Sequence, residues 1–154
     1  MQFSVREDIE GGQEQVFAAL SDFGALERSA MRRGLELERI DARAEPGPGM
    51  AWRTVFTFRG KPREATITLT EYDPPNRMVF DSVSGGLEVR SVLDLVALSR
   101  TRTRIAGDLT LLPKTLSARL LVQSLKLART RAERKVKARA SDYARDLEAR
   151  LKQG

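Results

Sequence analysis

From Met50 onward the sequence alternates apolar and polar residues through five successive stretches, a pattern that leaves few architectures open. The stretches are Met50–Phe58, Arg63–Tyr72, Arg77–Val83, Leu87–Leu98 and Arg102–Leu112. A pleated strand sends successive side chains to opposite faces, so each stretch predicts a strand with one apolar face. The separators are Gly60-Lys61-Pro62, Asp73-Pro74-Pro75-Asn76, Gly85-Gly86 and Ser99-Arg100-Thr101. None is long enough for a crossover, so sequential strands should pair as antiparallel hairpins.

The residues before this meander predict a strand, two short helices and a further strand. Phe3, Val5, Glu7 and Ile9 alternate up to Gly11-Gly12; Val16, Phe17 and Leu20 then recur at helical spacing over Gln13–Leu20. Asp22-Phe23-Gly24 breaks into a second helix reaching about Arg33, and Leu35–Ile40 alternates again. Glu45-Pro46-Gly47-Pro48-Gly49 is a turn, because proline holds φ near −65° while glycine is free to take positive φ. After Pro113 the chain is rich in Ala, Leu, Arg, Lys and Glu and has no Gly or Pro before its last residue, which predicts helix. Unbroken, that helix would run ~58 Å at ~1.5 Å per residue, so a bend or break near Leu127–Arg131 is expected. It is the only element long enough to cover the curled sheet's apolar face. All 154 residues are expected to form one domain.

This order carries phrases that resemble the START-like superfamily, also called SRPBCC or Bet v 1-like, and within it the bacterial polyketide cyclase/dehydrase-type members. The phrases are Gln15-Val16-Phe17-Ala18-Ala19-Leu20-Ser21-Asp22-Phe23 after an N-terminal strand, and Thr70-Glu71-Tyr72-Asp73-Pro74-Pro75-Asn76-Arg77-Met78-Val79-Phe80, with the terminal helix. The resemblance spans the chain and rests on the combination. It implies an α+β helix-grip fold: a seven-stranded curved antiparallel sheet wrapped around the long helix, enclosing a cavity for apolar ligands. It implies no particular reaction. The glycine-rich loop of the plant members is missing, with only Gly60 in the corresponding turn.

Composition removes several chemistries. The chain has no cysteine and no histidine, so thiolate nucleophiles, Cys-ligated metals and imidazole general bases are absent. No metal site and no cofactor is expected. A catalytic acid/base pair would have to come from carboxylates, Tyr72, Tyr143, lysines or arginines, and only Glu71 and Tyr143 read as inward-facing. Charge is uneven: residues 1–113 carry 15 cations and 17 acids, while residues 114–154 carry 12 and 4. The start has no basic region followed by an apolar stretch, and a cytoplasmic protein is the default expectation.

Taking the apolar member of each alternating pair as inward assigns the sheet's two faces. Arg53, Arg59, Thr66, Thr68, Thr70, Asp81, Glu88, Arg90, Asp94, Arg102, Arg104 and Asp108 fall on a solvated outer face, where cross-strand pairs of opposite charge are expected. The candidate cavity lining comprises Trp52, Thr54 and Phe56, then Ile67, Leu69, Phe80 and Ser82, then Val89, Ser91 and Leu93, with Ile105 and Leu109. The helix adds Ala128, Ala132 and Val136 from an inward stripe that starts at Leu121 and Leu125 and continues through Ala140, Tyr143, Leu147 and Leu151. Small alanines opposite Trp52, Phe56 and Phe80 either leave volume for an apolar ligand or are filled by those rings. Ser82 and Ser91 would orient a ligand carbonyl or hydroxyl, or bond to backbone or water. Arg129 and Arg139 lie at the stripe's edges, to reach a ligand carboxylate or snorkel outward.

Two partner readings attach to the basic helix. Arg131, Arg134 and Lys137 lie outward, but Tyr143 is the helix's lone aromatic, which disfavours nucleic acid. Leu116, Leu120 and Leu127 form a second stripe opposite Leu125, suited to an anionic membrane, a dimer seam or packing under the short helices, the last being favoured. The expected function is non-covalent binding of a small hydrophobic or lipid-like molecule by a monomer or homodimer. The alternatives are a polyketide cyclase/dehydrase-like enzyme acting on an aromatic or polyketide substrate, and an interaction module working through the basic helix.

Overall fold

The alternating stretches form the expected meander. A computed structural model describes residues 1–153 and gives β1 (Gln2–Glu10), α1 (Gln13–Leu20), α2 (Phe23–Arg32), β2 (Glu36–Arg39), β3 (Ala51–Phe58) and β4 (Lys61–Asp73). These are followed by β5 (Arg77–Ser84), β6 (Leu87–Ser99), β7 (Arg102–Pro113), α3 (Leu116–Leu127) and α4 (Arg129–Gln153). The seven strands form one antiparallel sheet in the order β1-β7-β6-β5-β4-β3-β2. Each connection along β2 to β7 joins neighbours; the first strand pairs with the last because α1 and α2 carry the chain across the sheet.

Local chemistry explains the corners. The β3–β4 connection is tighter than the sequence suggested: Arg59 (φ 52°) and Gly60 (φ 77°) alone make a two-residue turn with both central residues at positive φ. That geometry matches the twist of antiparallel strands, and it leaves Lys61 and Pro62 inside β4. Asp22 caps α2 by accepting a hydrogen bond from the Ala25 N–H at 3.2 Å. The proline-rich phrase Asp73–Asn76 turns β4 into β5, and Gln13 at the start of α1 donates to the carbonyls of Pro75 and Leu95. One side chain thus ties the first helix to the phrase on which much of the resemblance rests.

The C-terminal region breaks where expected. α3 is capped by Thr115, whose hydroxyl accepts from the Ala118 N–H at 3.2 Å, and it ends at Leu127 with Ala128 as its C-terminal cap. α4 then lies along β1 in the same direction. Arg129 donates to the Gln2 carbonyl at one end, and Glu148 accepts from the Glu10 N–H at the other. Leu147 is fully buried beneath it.

The core divides into two apolar clusters at opposite ends of the concave face. One gathers Ile9, Val16, Phe17, Leu20, Phe23, Trp52, Leu69, Met78, Leu95 and Ile105 with Ala144 and Leu147. The other is smaller and centres on Phe3, Leu111 and Val122. The outer face carries the expected cross-strand ion pairs, among them Arg104–Asp8 (2.8 Å), Arg53–Glu38 (2.7 Å) and Arg77–Asp94 (3.0 Å). Such exposed pairs contribute little to stability and mainly set register and solubility.

Candidate functional site: the concave face and its open end

The two clusters leave a band of the concave face between them. Thr54, Phe56, Ser82 and Ser91 are half-buried and belong to neither cluster. Register brings them together: Ser82 pairs with Ile67 and Val89, and Ser91 pairs with Phe80 and Leu109. The two serines are therefore diagonal neighbours, a spacing of ~7–8 Å, with Phe80 directly opposite Ser91 and Val89 directly opposite Ser82. Thr54 donates its hydroxyl to the Glu36 carbonyl at 2.7 Å, so it is already satisfied by the edge strand. Among the described residues, no buried side-chain nitrogen or oxygen lacks a partner.

The remaining candidates divide between the ends. Trp52 and Leu69 lie in the first cluster, and Ile105 joins them; Ile67, Phe80 and Leu93 pack against it. Val89, Leu109, Ala132 and Val136 pack against the second. Ala128 is brought to neither: it is exposed at the junction of α3 and α4, because the helix breaks there. The sheet's aromatics are covered by α2 rather than by the alanines of α4. Phe23 from α2 lies 5.2 Å from Trp52 and edge-on to Phe80 at 6.4 Å, and Trp52 donates its indole N–H to Glu27 at 2.9 Å. Sequence reasoning missed Phe23 and Glu27 as parts of this site; their spacing on a helix that begins at an Asp cap was the available signal.

Beyond Ser82 and Val89 the concave face opens. A cavity of about 890 Å³ lies between the β3–β4 and β5–β6 turns and α3, lined by Phe56, Phe58, Ser84, Leu87, Ala118, Leu121 and Leu125 among others. Leu121 and Leu125 come from the predicted inward stripe. Phe58, Ser84 and Leu87 are the next inward positions along β3, β5 and β6, so the cavity lies at the solvent end of the strands that carry Ser82 and Ser91; of the candidate lining residues, Phe56 alone is in its wall. Arg59 does not belong to the outer face, where alternation put it. At the turn it lies over the Phe58 ring (5.3 Å) and donates to the Ser124 hydroxyl of α3 at 2.8 Å, a polar strap across the opening.

Two titratable groups differ from expectation. Glu71 does not face inward: an extra residue between Leu69 and Glu71 shifts the register, so Tyr72 turns in against Phe17 and Glu71 pairs outside with Arg77 at 3.2 Å. Glu7 does face inward. It shares the concave side of β1 with the buried Phe3 and Ile9, opposite Ile105, and is half-buried. The sequence offered it only as one step in an alternating strand. Tyr143 is half-buried as expected, and burial pushes its phenol above the usual range against an opposing pull from Arg150. Arg129 is held by Glu133 and the Gln2 carbonyl, and Arg139 is exposed, so neither reaches the interior. Among the described residues no cluster of acidic side chains is arranged to hold a metal.

Residues 1–148 match the family described as polyketide cyclase / dehydrase and lipid transport. The chain belongs to that family. The family's fold is also seen in solved structures: TTHA0849 from Thermus thermophilus (TM-score 0.68, 21% identity, 98% of this chain and 97% of that one) and the Zhui aromatase/cyclase from a Streptomyces species, R1128 (0.67, 12%, 98% and 95%). A third is Ara h 8.0201 (0.65, 13%, 100% and 99%). At these identities the likeness is one of fold, the Bet v 1-like helix grip. Among curated proteins, none matches. No helix of the described chain is long and apolar enough to cross a membrane.

Proposed function

We propose that the chain binds a small hydrophobic or lipid-like molecule, non-covalently, between the sheet and α3–α4. The observation that carries this reading is the cavity of about 890 Å³ at the open end of the concave face, walled by Phe56, Phe58 and Leu87 of the sheet and by Leu121 and Leu125 of α3. Pockets that hold drug-sized ligands span ~300–1,000 Å³ and combine apolar walls with a few polar anchors. In this reading Ser82 and Ser91, one inward step or more deeper than Ser84 and Leu87 of the cavity wall, supply those anchors, and the other lining candidates supply desolvation. A ligand burying ~300 Å² of apolar surface would gain a gross ~7 kcal/mol. That is a ceiling near micromolar affinity before association costs are subtracted.

The test is titration with N-phenylnaphthylamine, a neutral probe that fluoresces when desolvated. The reading expects saturable, one-to-one binding that weakens ~10-fold or more in Ser82→Phe, which fills the band, and is unchanged in the outer-face variant Arg90→Ala. Absence of saturable binding would overturn it.

A second reading is cyclase/dehydrase-like chemistry on an aromatic or polyketide substrate in the same space. It is favoured by Glu7, a carboxylate among apolar neighbours on the inner face. It expects Glu7→Gln to abolish turnover while probe binding survives; turnover unchanged in that variant would remove it.

A further inference from the structure

We propose that the outer face of α3, continued by the first turns of α4, is a docking surface for an anionic lipid bilayer. Leu116, Leu120 and Leu127 are 72%, 62% and 92% exposed. This contradicts the expectation that they pack beneath the short helices, because α2 instead covers the aromatics at the opposite end of the sheet. At ~100° per residue the three lie within ~40° of one another, turned away from Ala118 and Val122, which hold α3 to the core. Leu120 also lines the cavity, so the patch adjoins the opening.

Cations border this apolar patch. Arg119 and Lys126 flank the leucines on α3, and Arg131, Arg134, Lys135 and Lys137 are exposed on the first turns of α4. Among the described residues none of these six pairs with an acid; Glu133, the one acid within residues 126–139, is already held by Arg129. Exposed apolar side chains beside unpaired cations match the boundary of an anionic bilayer, where headgroups neutralise the charge and the leucines enter the acyl region. A second copy of the chain would set like charges against each other, since residues 114–154 carry 12 cations and 4 acids. Nucleic acid would satisfy the cations and leave the leucines in water. The proposal stands whatever the cavity holds.

The experiment is flotation of the full chain with vesicles of phosphatidylcholine alone or mixed with phosphatidylglycerol, at low and high ionic strength. The proposal expects flotation with the mixed vesicles only, reduced by salt, and ~10-fold or more weaker both in Leu116→Ser/Leu120→Ser/Leu127→Ser and in Arg131→Glu/Arg134→Glu/Lys135→Glu. All six positions are exposed, so Trp52 emission and the thermal midpoint should match those of the unmodified chain, showing that each variant is folded. Equal flotation with both vesicle types, or none with either, would overturn the proposal. So would full flotation of the leucine variant, or a wild-type dimer in solution that the leucine substitutions dissociate, which would assign the face to a second copy.

Discussion

Replacing Phe23 with alanine probes the element that decides how much of the concave face stays open. Phe23 is 6% exposed and meets both Trp52 and Phe80. Deleting a buried phenylalanine ring leaves a cavity that backbone relaxation only partly closes, at ~3–5 kcal/mol for well-packed sites. The ring pairs with Trp52 and Phe80 account for ~0.5–1.5 kcal/mol each within that total. For a chain of this length, ~1 kcal/mol corresponds to ~2–4 °C, so the thermal midpoint should fall by ~6–20 °C. Phe23→Leu retains most of the apolar volume and should lose less than half as much. Urea unfolding followed by Trp52 emission reads the site directly, because Trp52 is the chain's only tryptophan. The folded emission of Phe23→Ala should move to longer wavelength as water reaches the indole. A loss under ~1 kcal/mol with unshifted emission would refute the reasoning, since it would mean α2 does not seal the aromatic end.

Three further outcomes follow from the geometry. In Gly86→Ala the new methyl would come within 2.6 Å of Thr115 Cβ and displace the α3 cap, so stability measured in urea should fall ~1–3 kcal/mol. Thr115→Gly in the same background should restore part of it. Arg59→Ala removes the strap to Ser124, and stopped-flow release of N-phenylnaphthylamine should quicken several-fold while the urea midpoint barely moves. Asp41 accepts hydrogen bonds from the Arg39 guanidinium and from the Ala51 and Arg43 N–H groups, which hold its carboxyl well below the usual carboxylate range; Arg104 holds Asp8 low in the same sense. Their contribution is complete above the ordinary carboxylate pKa of ~3.9 and lost as pH falls toward the folded values. Thermal melts should therefore show Asp41→Asn less stable than wild type at neutral pH, with the gap closing in acid.

Much of the fold was legible because strands and turns are written locally. Alternation from Met50 to Leu112, with short separators, predicted the hairpin pairings from β3 through β7, and the overlong cation-rich tail pointed to a bend or a break near Leu127–Arg131 without deciding between one helix and two. The pairing of β1 with β7 is not written locally, since α1 and α2 intervene and only the closed sheet brings the two strands together. The site was less legible because it depends on which element covers which part of the sheet. Periodicity showed that Trp52 and Phe80 point inward, but not that Phe23 reaches them before the alanines of α4 do. Nor could it show the extra residue at Thr70 that rotates Glu71 out and Tyr72 in, since a bulge leaves composition unchanged and is defined only by the partner strand. The exposed leucines of α3 carry the same lesson. Their spacing was plain, but whether another helix covered them was a question of tertiary placement.

Native mass spectrometry of the purified chain, followed by solvent extraction of anything bound, tests the central claim most directly. The account predicts one apolar molecule per chain, absent from Ser82→Phe and present in Arg90→Ala. A chain that stays ligand-free after purification and after exposure to a panel of lipids and aromatic compounds would contradict it.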